Sequence, residues 1–106
     1  MATIKHTFFI GLNDKDAKVQ TINTIDAGRI VERVFIARGV DGATISGARG
    51  VYKHDDGTVV AEETIMVQVF EFGAPVPVVA ICDDLKNLLN QESIAVESTE
   101  TNSALY

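Results

Sequence analysis

The stretch ATISGARGVYKHDDGTVVAEETIMVQVFEF, residues 43–72, decides the fold. At its middle, His54-Asp55-Asp56-Gly57 carries the Asp-Gly pair that tolerates the positive φ of a tight reversal. On either side lie runs rich in β-branched residues. Ala43 to Lys53 therefore reads as one strand and Thr58 to Phe72 as its antiparallel return. Gly47 and Gly50 interrupt the first strand and predict a bulge or a close backbone approach. In the second, alternation puts Ile65, Val67 and Val69 on one face and Met66, Phe70 and Phe72 on the other, so both faces are apolar.

Upstream of the hairpin, residues 4–12 alternate at Ile4, Phe8 and Ile10 and predict a first strand that ends at Gly11. Asn13-Asp14-Lys15-Asp16 supplies cap-type residues, and Val19, Ile22, Ala27, Ile30, Val31 and Val34 follow at helical spacing. A long helix opening there would close at Gly39-Val40-Asp41-Gly42, with Gly28 marking a bend or a close contact inside it. Downstream, Gly73-Ala74-Pro75-Val76-Pro77 breaks the strand and sets Pro77 at the first turn of a second helix. That helix carries Val78, Ile81, Leu85, Leu88 and Leu89 and ends near Asn90. Ser93 to Val96 predicts a short last strand, and Glu97 to Ser103 reads as a solvated acidic segment ahead of Leu105 and Tyr106.

The order β-α-β-β-α-β, with right-handed crossovers, leads to an α+β sandwich of the ferredoxin-like type: a four-stranded antiparallel sheet with two helices on one face. Residues 1–96 are expected to form this single domain and 97–106 an acidic polar C-terminal tail. Two helices on one face leave the Met66, Phe70 and Phe72 face open. That face predicts a homo-oligomer assembled through the sheet or through the hairpin.

Composition narrows the function classes. Nine Lys and Arg against fifteen Asp and Glu leave a formal charge of −6, which opposes binding to a phosphate backbone. Five Phe, two Tyr and no Trp offer little stacking surface, so no nucleic-acid partner is expected. The single cysteine, Cys82, has no partner for a disulfide and belongs to no zinc-ligand spacing; it reads as a small packed hydrophobe. Neither a leader-like amino terminus nor a membrane-length apolar run is present, so the expected location is the cytoplasm, or a host's cytoplasm if phage-encoded, with no membrane partner.

The polar residues that the hairpin brings opposite one another are Arg49, Tyr52 and Lys53 on its first strand and Glu62 and Glu63 on its second. Cross-strand charge ladders explain such residues without function, but Arg49 between two glycines could also clamp a carboxylate or phosphate in bidentate fashion. His6 and His54 are the only histidines available for acid–base work, and neither has a nucleophile nearby in sequence. Arg29, Arg33 and Arg38 fall toward the end of the first helix, where cations complement the dipole. No metal site, no cofactor and no catalytic constellation is legible.

Several segments resemble a family of small bacterial and phage-borne proteins: Phe9-Ile10-Gly11-Leu12-Asn13, Asp41-Gly42-Ala43-Thr44-Ile45, Gly47-Ala48-Arg49-Gly50-Val51-Tyr52, Gly57 to Glu63, and Asn90-Gln91-Glu92-Ser93-Ile94. The resemblance implies a ferredoxin-like fold and, in phages, an accessory gene product, and it names no substrate. In architecture the chain is also similar to the nitrogen-regulatory PII-like and CutA-like proteins, which implies trimers that bind ligands between subunits. The expectation drawn from these features is a non-enzymatic oligomeric binding protein. It would hold a small anionic, nucleotide-like ligand or a host protein at a subunit interface through Arg49, Tyr52, Lys53, Glu62, Glu63 and His6. Two alternatives stand beside it: a small cofactor-free enzyme using a histidine and a carboxylate, and a structural or assembly protein.

Overall fold

A computed structural model describes residues 2–106. Its elements are β1 (Ala2–Gly11), α1 (Thr24–Ala37), β2 (Thr44–Lys53), β3 (Val59–Glu71), α2 (Val78–Leu88) and β4 (Ala95–Asn102). The four strands form one antiparallel sheet in the order β2-β3-β1-β4, the ferredoxin-like arrangement expected from the hairpin and its flanks. The expected alternation sets the core. Phe8, Ile10, Ile65, Val67 and Val69 project from the sheet onto Ala27, Val31 and Phe35 of α1 and onto Ile81 and Leu85 of α2. At its centre the rings of Phe8 and Phe35 meet edge to face, 5.0 Å between centroids. Across the helix layer, Arg38 donates from Nε and Nη2 to the two carboxylate oxygens of Asp84, at 2.7 and 2.8 Å.

Three sequence expectations are corrected. First, α1 opens at Thr24, not near Asn13. Asn23 is its cap, accepting the Asp26 N–H at 2.9 Å and donating from Nδ2 to the Asp26 carboxylate, also at 2.9 Å. The acids read as a first helical turn serve a loop instead. Asp14 Oδ2 accepts the N–H groups of Asp16 and Ala17, and Asn90 Nδ2 donates to Asp14 and Asp16. Lys18 then turns the chain at φ 64°, which a right-handed α-helix does not permit. Second, β4 runs through Asn102, so residues 97–102 pair with β1 from Glu97↔Thr7 to Asn102↔Ala2. An edge strand needs no apolar alternation on its solvent side, and Thr99 and Thr101 suit extended backbone. Third, β2 pairs continuously through Gly47↔Ile65 and Gly50↔Glu62. At Gly50 the close approach is real, because a Cβ there would lie 3.1 Å from Thr64 Oγ1; at Gly47 and Gly28 nothing stands within 4 Å.

Among the described residues the other sheet face carries no helix. Met66 on it is half-buried, while Phe9, Phe70 and Phe72 are exposed, with the rings of Phe70 and Phe72 stacked 5.4 Å apart. Among the described residues no helix is long and apolar enough to cross a membrane.

Candidate functional site

The β2–β3 hairpin is longer than the strands beside it. Its pairing runs from Thr44↔Gln68 to Lys53↔Val59, whereas β1 accompanies β3 only as far as Gly11↔Thr64. Beyond Thr64 the hairpin is a two-stranded arm, and the molecule is correspondingly elongated, 46 × 27 × 21 Å. Where the arm leaves the sheet, its helix-free face and the loop after β1 enclose a cleft of about 610 Å³. Phe9, Tyr52, His54 and Glu62 line it, together with Lys15 and Lys18 of the loop. The Tyr52 and His54 rings meet edge to face at 5.1 Å, making an aromatic wall.

Glu62 is one of three acids lining this cleft, with Asp14 and Glu92, and it is the one supplied by the hairpin. Its Oε2 accepts the Asn13 N–H at 3.0 Å. Its carboxylate lies over Gly11, where any side chain would collide with it: a Cβ on Gly11 would stand 2.5 Å from Oε1. A glycine at the end of β1 and the turn that follows thus cradle the acid.

The alternation of the hairpin divides the residues grouped by sequence. Tyr52 and Glu62 share the helix-free face, since Tyr52 pairs with Val60 and Glu62 with Gly50. Arg49, Lys53 and Glu63 point to the opposite side, where Arg49 stands in register with Glu63. Arg49 is not among the residues lining the cleft, and the structure places it on the other face of the hairpin, opposite Glu63. His54, at the arm's end, joins Tyr52. Of the cations assigned to the end of α1, Arg38 is taken up by Asp84, and none lies in the helix's last turn. Cys82 is packed against the core, and burial pushes its thiol pKa up, as a structural cysteine requires.

His6 sits apart from the hairpin, on the helix-covered face of β1 between Val69 and Ser98. It is buried, at 6% exposure. Its Nδ1 lies 2.6 Å from Ser98 Oγ. Its Nε2 lies 3.0 Å from Glu71 Oε1, off the line of the ring N–H, so this contact acts through charge proximity more than through a directed hydrogen bond. Glu71 also accepts the Val76 N–H at 2.7 Å. That N–H first, and His6 second, hold the Glu71 carboxyl below the usual range. Sequence spacing concealed this cluster, because its three side chains come from β1, β3 and β4 and meet only through strand register. Among the described residues no group of three His, Cys, Asp or Glu could hold a metal ion.

Antiparallel order β2-β3-β1-β4 with both helices on one face is the architecture shared by PII-like and CutA-like proteins. No family model and no curated protein matches the chain in sequence. Solved structures match it in fold. A phage SAM lyase aligns with TM-score 0.71 in complex with S-methyl-5′-thioadenosine and 0.72 in the apo state, at 23% and 22% identity. These alignments cover 92% and 93% of this chain and 81% of the lyase in each case. The periplasmic divalent cation tolerance protein CutA from Archaeoglobus fulgidus aligns at 0.61, with 11% identity over 99% of this chain and 88% of its own. The GlnK–ATP complex of B. subtilis aligns at 0.57, with 13% identity over 93% and 82%. All are likenesses of fold. They nevertheless overturn the expectation of a non-enzymatic binder, because the structures at 0.71 and 0.72 are those of an enzyme. Of the expectations drawn from sequence, the small cofactor-free enzyme is the one these findings favour.

Proposed function

We propose that this protein is a cofactor-free lyase that cleaves a sulfonium nucleoside of the S-adenosylmethionine type in the cleft beneath the hairpin arm. The observation that carries the reading is the carboxylate of Glu62, fixed over Gly11 and facing the same cleft as the Tyr52–His54 wall. Likeness of fold to a lyase seen with S-methyl-5′-thioadenosine supports it.

The chemistry explains why a chain without a nucleophile–base motif can catalyse it. In S-adenosylmethionine the substrate's own carboxylate oxygen attacks Cγ, the C–S electron pair passes to sulfur, and S-methyl-5′-thioadenosine leaves as a neutral thioether. A γ-lactone is the other product. No water, proton donor or external nucleophile is consumed. The reaction annihilates a positive and a negative charge, so transfer of both from water into a partly apolar cleft favours the transition state. Holding the carboxylate within reach of Cγ supplies the remainder. Glu62 suits the α-ammonium, which keeps its charge throughout, and Tyr52 and His54 suit the nucleobase. Lys15 and Lys18, which line the cleft beside Asp14 and Glu92, are the cations available to the carboxylate.

In the same proposal the protein acts in the cytoplasm, where such a substrate is found, and its open sheet face packs against further copies of itself. Calorimetric titration with S-methyl-5′-thioadenosine tests the site. Saturable binding that weakens at least about 10-fold in Tyr52→Ala supports it. Absence of heat, or equal binding by the variant, removes the cleft from consideration.

A further inference from the structure

We propose that Ser98, His6 and Glu71 constitute a second reactive site, a serine–histidine–carboxylate relay that makes Ser98 a nucleophile toward the acyl group of small carboxylic esters. The three residues are assembled by register alone: His6 stands opposite Ser98 on one side and Val69 on the other, and Glu71 stands opposite Ile4. Each side chain has the burial its role requires. Ser98 is exposed at the sheet edge, His6 is buried behind it, and Glu71 is largely covered, its side chain 15% exposed.

The contacts form a chain of the right order. Ser98 Oγ lies 2.6 Å from His6 Nδ1, His6 Nε2 lies 3.0 Å from Glu71 Oε1, and the Val76 N–H anchors that oxygen at 2.7 Å. Donation of the Ser98 hydroxyl proton to Nδ1 requires the ring proton to sit on Nε2, the nitrogen that faces Glu71. The carboxylate, 3.0 Å from that nitrogen though off the line of its N–H, favours by its charge the tautomer that leaves Nδ1 free to act as base, and it stabilises the imidazolium that forms. A hydroxyl serving only to satisfy a buried histidine would need neither exposure nor a carboxylate behind the ring.

In the acylation step a bond forms between Ser98 Oγ and the ester carbonyl carbon while the Oγ proton passes to Nδ1. The bond from that carbon to the leaving oxygen then breaks, and the alcohol departs with the proton from Nδ1. Water, activated by the same nitrogen, releases the carboxylic acid and restores Ser98. Ile4, 42% exposed, and Val96 flank Ser98 on this face and offer an apolar bed for a short acyl chain. None of the three residues lines the cleft under the hairpin arm, so this site stands independently of the lyase reading.

The test is reaction of the whole chain with a fluorophosphonate probe, with the modified residue located by peptide mass spectrometry. Stoichiometric labelling of Ser98, absent in Ser98→Ala and slowed at least about 10-fold in Glu71→Gln, supports the relay. Labelling elsewhere, no labelling of the folded wild-type chain, or labelling indifferent to Glu71→Gln overturns it. A p-nitrophenyl acetate burst of about one equivalent per chain, lost in Ser98→Ala, provides the second readout. Ser98→Ala leaves the cleft intact, so S-adenosylmethionine cleavage measured on the same variant separates the two sites.

Discussion

The carboxylate of Glu62 occupies the space that a side chain at position 11 would fill: a Cβ on Gly11 would stand 2.5 Å from Glu62 Oε1 and 2.7 Å from its Cδ. The obstruction is the far end of a flexible side chain, so Gly11→Ala is expected to displace Glu62 and leave the fold standing. Stability should change by less than about 1 kcal/mol. Formation of S-methyl-5′-thioadenosine should fall by about 100-fold, because the acid no longer faces the cleft in its productive position. Denaturant melts beside product chromatography on the same samples check both halves of the expectation.

The Phe8–Phe35 pair is the centre of the core, with both rings buried and in edge-to-face contact. Phe8→Ala is expected to cost about 3–5 kcal/mol through lost transfer energy and the cavity left behind. Urea unfolding measures it; a loss below about 1 kcal/mol would mean that the helix layer collapses into the gap.

Glu71 contributes an acid-sensitive part of the stability. Its folded pKa is lowered, chiefly by the Val76 N–H and then by His6. The associated stabilisation is therefore fully present above the unfolded value of about 4.3 and is lost as pH falls through the lowered folded value. Glu71→Gln should flatten the decline in stability below about pH 4.3 while lowering stability at neutral pH. Thermal melts between pH 2 and 7 show whether the two curves converge in acid.

The stacked Phe70 and Phe72 rings lie exposed on the helix-free face. Phe70→Glu places a charge in the middle of any sheet-to-sheet contact and is expected to convert a multimer into a monomer without unfolding it. Native mass spectrometry of both proteins checks this, and a wild-type chain that is already monomeric would contradict self-association through this face.

Periodicity and turn chemistry carried the fold. The Asp-Gly turn, the two apolar sets of β3 and the Pro-Gly break before α2 each have a local cause, and those causes agree. Two boundaries failed where a local signal had a rival. Asp14 and Asp16 look like first-turn acids but bond loop amides and Asn90, while Asn23 caps the helix; the polar composition of residues 97–102 hides an edge strand. At the site, Tyr52 and Glu62 were legible as hairpin residues, but grouping them with Arg49, Lys53 and Glu63 ignored that adjacent residues of a strand face opposite ways. Gly11 carried a signal of a different kind, a glycine closing a strand, that acquires meaning only once Glu62 is seen above it. The His6, Ser98 and Glu71 cluster left no local trace at all, because register is a long-range property.

Chromatographic measurement of S-methyl-5′-thioadenosine released from S-adenosylmethionine, with wild type and Glu62→Gln run against the spontaneous background, decides whether the cleft is a lyase site. Product formation far above background is expected from the wild-type chain, with a loss of at least about 10-fold in the variant. Release at background rate by a folded wild-type protein, or equal rates for the two proteins, would contradict the lyase reading.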